Sequence, residues 1–217
     1  MQTFTKYLLI ALLILPTLHT FTHASTRIAL VIGNGAYQSS PLRNPVNDAT
    51  DMAAILSQLG FEVITETNAS KRDMVQAIDL FAEKLKQAEI GLFYFAGHGM
   101  QINNRNSLIP SQVAVSSESA VEFEAVDAGR IMGKMGYAGN KLNVVILDAC
   151  RNNPFARTFR TSIQGLARMD APVGTIVAYA TAPGSIAADG TGRNGIYTKH
   201  LLRALQKPNL DIQDIFN

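Results

Sequence analysis

Ile90-Gly91-Leu92-Phe93-Tyr94-Phe95-Ala96, followed at once by Gly97-His98-Gly99, is the stretch on which the reading of the whole chain turns. A short, almost continuously apolar run that is rich in aromatics and bounded by glycines predicts a strand over 90–96. Upstream, the Ile-, Leu- and Val-rich residues 27–33 predict another buried strand. A helix is expected over 45–59, with Asn44 as its cap, Pro45 in its first turn and Gly60 at its end, before a strand over 61–67. Ser70 with Asp73 has the spacing of a capping box and opens a helix reaching Ala88, whose inner face carries Val75, Ile78, Ala82 and Leu85. Downstream come a short helix over 126–135, strands over 142–147 and 174–180, a helix over 195–205 and the start of another after Pro208. Strands alternating with helices imply one α/β domain of three layers, with a mainly parallel sheet flanked by helices.

The 217 residues are 47% hydrophobic, enough for one domain with a substantial core. A formal net charge of +2, with no basic stripe, gives no reason to expect a nucleic-acid partner. Lys6 precedes an apolar run over 7–15, and Thr22-His23-Ala24 precedes Ser25, which together read as a secretory signal peptide over 1–24. The run is shorter than the ~20 residues that cross a bilayer, so membrane contact is expected only if this leader stays uncleaved. The mature domain, 25–217, is therefore expected in the periplasm or outside a bacterial cell. It stops inside a helix, and so reads as incomplete at its C-terminal end.

Cys150 is the single cysteine, which excludes an internal disulfide and leaves a thiol that is either buried and inert or kept for its reactivity. In a parallel α/β sheet, ligands bind beyond the carboxyl ends of the strands. One strand ends at Gly97-His98-Gly99 and another at Asp148-Ala149-Cys150-Arg151, so a histidine and the thiol are expected at equivalent strand ends. These are the parts of acyl transfer through a thioester.

The pattern resembles the caspase and metacaspase peptidases over nearly all of the mature chain. Four matches in order carry the likeness: Asp48 with Leu59-Gly60; His98; Cys150 in the context Asp-Ala-Cys-Arg, 52 positions after His98 (150 − 98); and Ala178-Tyr179-Ala180-Thr181-Ala182-Pro183-Gly184, which looks like the strand lining the substrate groove. The resemblance implies a cysteine endopeptidase in which Cys150 attacks the scissile carbonyl. His98 handles the proton, and the N–H groups of Gly99 and Cys150 form the oxyanion hole. It also implies a protein or peptide substrate and no cofactor. Calcium dependence occurs among metacaspases; the sequence has no calcium loop of the Asp-x-Asp-x-Asp-Gly type, and the question stays open, as does the oligomeric state.

Asp48 and Asp148 match acidic positions that metacaspases use, and Asp189, beyond Ala180 on the groove strand, stands where the substrate strand of a caspase would carry an arginine; the resemblance thus implies cleavage after arginine, and less efficiently after lysine. Ala96 stands where metacaspases often carry a serine, Asn152 replaces a glycine, and Arg43 lies near a caspase position that reads an acidic P1. Residues 151–172 form a long segment carrying Arg151, Arg157, Arg160 and Arg168, either sites of self-cleavage or a solvated basic loop. A catalytically silent peptide-binding module is the alternative to the enzyme. Gly33-Asn34-Gly35 lacks the third glycine of a dinucleotide site. With His19 and His23 in the leader and His200 the one other histidine, no metal site is expected. Tyr37 and Asn47 read as framework residues over the groove, and Asp73 and Asp127 as helix starts.

Overall fold

The structure is a computed structural model that describes residues 26–113, 118–150, 165–180, 191–208 and 215. Residues 1–24, expected as a signal peptide, most of the 151–172 segment, Asp189 and residues 182–184 lie outside the described residues. Along the chain come β1 (Arg27–Gly33), α1 (Pro45–Gln58), β2 (Glu62–Thr67), α2 (Lys71–Leu85), β3 (Ile90–Ile102) and β4 (Arg105–Leu108). These are followed by α3 (Glu118–Glu124), β5 (Val126–Asp127), α4 (Ala128–Ala138), β6 (Leu142–Cys150), β7 (Thr175–Tyr179) and α5 (Ile196–Leu205).

The parallel layer runs β2-β1-β3-β6-β7. Successive side chains of a strand point to opposite faces, and both faces are buried. Leu30, Ile32, Phe93, Phe95, Val145 and Leu147 meet α2 and α4 through Ile78, Phe81 and Met132, while Ala29, Val31, Leu92, Tyr94, Val144 and Ile146 meet α1 and α5 through Met52, Leu56 and Leu201. Phe93 and Phe95 are fully buried, each stabilising the fold by about 1.5–3 kcal/mol through the apolar surface they remove from water. The three-layer arrangement with helices on both faces is thus the one expected. β1 and α1 pack so closely that a Cβ on Gly33 would lie 2.2 Å from the Pro45 carbonyl oxygen, which is why glycine ends that strand.

Local signals held at α2, where the Asp73 N–H donates to Ser70 Oγ at 3.2 Å and the Ser70 N–H donates to Asp73 Oδ2 at 3.2 Å. The helix stops at Leu85 rather than Ala88, because Gln87 and Ala88 close tighter turns onto the Lys84 and Leu85 carbonyls. Asn44 does not cap α1 through its side chain. It is fully buried with helical φ and ψ, not the extended conformation from which a cap oxygen reaches the first turn. α4 begins after Asp127, whose Oδ1 accepts the Gly129 N–H at 2.8 Å, and the β5 bridge takes the residues expected as its first turn.

The largest correction concerns β3, which continues past Ala96 to Ile102. Its last residues leave the parallel layer and pair antiparallel with β4 across Asn103 and Asn104, both left-handed at φ 50° and 63°. Two asparagines in that conformation make the tight hairpin turn whose twist matches the flanking strands. His98 therefore lies inside a strand, at the point where it passes from one layer to the other.

Candidate active site

β3 and β6 run parallel in a register that makes His98 and Cys150 Cα partners, with Ala96 opposite Asp148. The two residues expected as a dyad sit side by side on neighbouring strands, although His98 is not at a strand end.

His98 is buried, 4% exposed, and gripped by the loop after β1. Its Nε2 lies 2.7 Å from the Ser40 carbonyl oxygen, an atom that only accepts, so Nε2 carries the hydrogen and Nδ1 is the ring's basic nitrogen. The Tyr37 ring packs at 4.3 Å between centroids, tilted by 46°. The Tyr37 hydroxyl accepts the His98 N–H at 2.9 Å and donates to the Ile109 carbonyl at 3.1 Å, while the Ile109 N–H donates to the His98 carbonyl at 3.0 Å. A phenol thus replaces one rung of the ladder where β3 leaves the sheet, and Tyr37 is the framework residue it was expected to be. Asn34, also buried, ties the same corner together by donating to the Ile109 carbonyl at 3.2 Å and accepting the Ala69 N–H at 2.9 Å.

The glycines beside His98 are required by contact. A Cβ on Gly97, at φ +155°, would lie 2.6 Å from the Tyr37 hydroxyl; one on Gly99 would lie 2.9 Å from the Ala149 Cβ. Because His98 and Ile109 form the hydrogen-bonded kind of antiparallel pair, the next pair, Gly99 with Leu108, is of the other kind, which turns the Gly99 N–H away from β4 and toward β6.

A second cluster lies on the α1/α5 side. Asp48, in the first turn of α1 and 2% exposed, accepts the Gly195 N–H at 3.0 Å through Oδ1. Asp148 Oδ2 accepts the Thr198 hydroxyl at 2.5 Å. A Cβ built on Gly195 would stand 3.2 Å from Asp48 Oδ2 and 3.7 Å from Asp148 Oδ2, so the two carboxylates converge on the start of α5. That start is seated on α1 by the Arg193–Asp51 ion pair at 2.8 Å, by Asn194 on Asp51 and by Asn47 on the Arg193 carbonyl at 3.1 Å, which makes Asn47 a framework residue as well. The Tyr94 phenol, wholly buried, is pushed well above its ordinary value by burial first and by the charges of Asp148 and Asp48 next, so it stays protonated.

Of the other expected site residues, Ala180 follows β7 and donates its N–H to the Leu147 carbonyl at 3.1 Å, beside Asp148. Ala96 is buried and Arg43 exposed. Thr198, Tyr94 and Ser40 were not singled out by the sequence. The signal for Tyr94 was available, since a tyrosine in a strand buried on both faces has to find a partner for its hydroxyl. At the Gly33-Asn34-Gly35 corner the Gly35 and Ala36 N–H groups both donate to Asn68 Oδ1 at 2.9 Å. Among the described residues no group of three or more potential ligands is placed to hold a metal ion.

A family model for the caspase domain, Peptidase C14, matches residues 26–217. The mucosa-associated lymphoid tissue lymphoma translocation protein 1 of Homo sapiens and its homolog in Mus musculus are each 29% identical over 183 residues, covering 82% of this chain. The chain spans 21% of the length of each of these relatives. A solved structure from Geobacter sulfurreducens shares the fold, with a TM-score of 0.60 at 17% identity over 82% of this chain and 81% of that one. With the parallel sheet, the His98–Cys150 register and a family match across the whole described region, the chain belongs to the caspase-domain family of peptidases.

Proposed function

We propose that the chain is a cysteine endopeptidase that cleaves after arginine, and less efficiently after lysine, with Cys150 as nucleophile and His98 as its acid and base. The observation that carries this reading is the pairing of His98 with Cys150 on adjacent strands, with the imidazole tied through Nε2 to Ser40. In the reaction the Cys150 thiol proton passes to His98 Nδ1, and the thiolate bonds to the scissile carbonyl carbon. The resulting oxyanion is received by the N–H groups of Gly99 and Cys150. Collapse returns the proton from Nδ1 to the leaving amine and leaves a thioester, which a water molecule activated by the same nitrogen hydrolyses. No cofactor enters these steps.

The preference for a basic P1 rests on Asp48 and Asp148, two carboxylates brought to one place from α1 and β6, with Asp189 standing in the sequence where the substrate strand of a caspase carries an arginine. Asp48, Asp148 and Ala96 lie together on the α1/α5 face of the sheet. Arg43, which would favour an acidic P1, is exposed while Asp48 is buried.

The test compares fluorogenic peptides carrying Arg, Lys or Asp at P1 on the parent chain and on Cys150→Ala. The expected order is Arg, then Lys, with Asp uncut, and no cleavage by the variant. Cleavage after Asp would overturn the acidic-site assignment. Peptide binding by the parent without any cleavage would instead identify an interaction module.

A further inference from the structure

We propose that Thr198 is a positioning residue of the acidic site: it receives a hydrogen bond from Tyr94 and passes one to Asp148, and so fixes the carboxylate plane that lets the site prefer arginine over lysine. This rests on the basic-P1 reading above and extends it to residues that the motif pattern leaves out.

The direction of the relay follows from counting hydrogens. The Thr198 hydroxyl has one, and a carboxylate only accepts, so at 2.5 Å from Asp148 Oδ2 that hydrogen belongs to Asp148. The Tyr94 hydroxyl, 2.5 Å from Thr198 Oγ1, must then be the donor to it. Both hydrogen bonds point toward a charge, the arrangement in which they are shortest and strongest. Thr198 and Tyr94 are fully buried, which leaves their hydroxyls no solvent alternative.

A threonine in a helix commonly bonds back to a carbonyl one turn earlier. Here the hydroxyl crosses instead to β6, while the Gly195 carbonyl one turn back takes the Lys199 N–H. α5 thus holds both acids from its first turn: the Gly195 N–H grips Asp48, and the Thr198 side chain grips Asp148. The positive end of the helix dipole lies at the same place. Guanidinium recognition is planar and bidentate and needs carboxylates of fixed orientation, whereas an ammonium is a point charge that tolerates a swinging one. Loss of the Thr198 hydroxyl should therefore cost arginine more than lysine, a difference that general loosening of the fold would not produce.

The experiment measures calorimetric binding of matched peptides with Arg or Lys at P1 to the Cys150→Ala chain, which binds without turnover, and then to the same chain with Thr198→Val, Thr198→Ser or Tyr94→Phe added. Thr198→Val is expected to weaken the Arg peptide about tenfold, the scale of one hydrogen bond to a charged group, and the Lys peptide by less than about threefold. Thr198→Ser should stay within about twofold of the parent, since it keeps the hydroxyl. Tyr94→Phe, which leaves Thr198 in place and serves if the valine variant does not fold, should shift the Arg-to-Lys ratio in the same direction. Equal losses for both peptides, an unchanged ratio, or a serine variant as weak as the valine one would overturn the relay. A parent chain that binds neither basic peptide would instead overturn the acidic-site reading on which it stands.

Discussion

Replacing Tyr37 with phenylalanine isolates one oxygen atom. The ring that packs at 4.3 Å on His98 stays, while the hydroxyl that joins the His98 N–H at 2.9 Å to the Ile109 carbonyl at 3.1 Å is removed. The two backbone groups do not suffer equally. The Ile109 carbonyl keeps the Asn34 amide at 3.2 Å, so the loss falls mainly on the buried His98 N–H, which forfeits its acceptor where β3 leaves the sheet. Stranding one buried amide costs about 1–3 kcal/mol, and the hydrogen removed from Ile109 adds less, so about 2 kcal/mol is expected overall. For a chain of this size that is roughly a 4–8 °C fall in Tm. Urea titration followed by circular dichroism should show the transition midpoint moving down at unchanged slope. A Tyr37→Phe chain whose stability stays within about 0.5 kcal/mol of the parent would refute the assignment of this hydroxyl as the missing ladder rung.

Two further outcomes follow from the same geometry. Gly97→Ala should destabilise the fold by about 3 kcal/mol, because its Cβ meets the Tyr37 hydroxyl at 2.6 Å and the Asn34 carbonyl at 3.1 Å; a Gly97→Ala/Tyr37→Phe double variant should lose measurably less than the sum of the two, since the clashing oxygen is already gone. The Arg193 guanidinium, hydrogen-bonded to Asp51, holds that carboxyl below its ordinary 3.8, so the clamp on α5 is fully present above that value and is lost as pH falls through the lower folded-state value. Amide protection at the start of α5, measured by hydrogen exchange, should drop across that acid window in the parent and show no such step in Asp51→Asn; identical profiles would contradict the clamp.

The alternation of apolar runs with amphipathic helices was enough to expect three layers, and the Ser70–Asp73 spacing enough for the start of α2, because both are set by neighbours a few residues apart. The β3–β4 hairpin has a local signal in Asn103-Asn104, but the glycines around His98 read as the end of a strand and mask its continuation. Asn44 fails as a cap for a different reason: it is itself buried and sits in helical dihedrals, which the residue type alone does not reveal.

The candidate site divides in the same way. His98, Cys150, Asp48 and Asp148 are legible because each stands in a short motif with a familiar spacing. That Asp148 is held by Thr198 and Thr198 by Tyr94, partners 50 and 104 residues apart, depends on the docking of α5 against α1 and β6. Likewise the tie from His98 to the Ser40 carbonyl, 58 residues away, depends on how one loop folds over one strand. Local sequence by itself determined the alternating strands and helices of the parallel layer and the candidate site residues, but not β4, α3 or β5, since hydrophobic period and residue type are properties of neighbours along the chain. Only the tertiary structure decided which hydroxyl, carbonyl or amide each of those side chains meets, because register and helix docking are set by packing between segments that have no local signal in common.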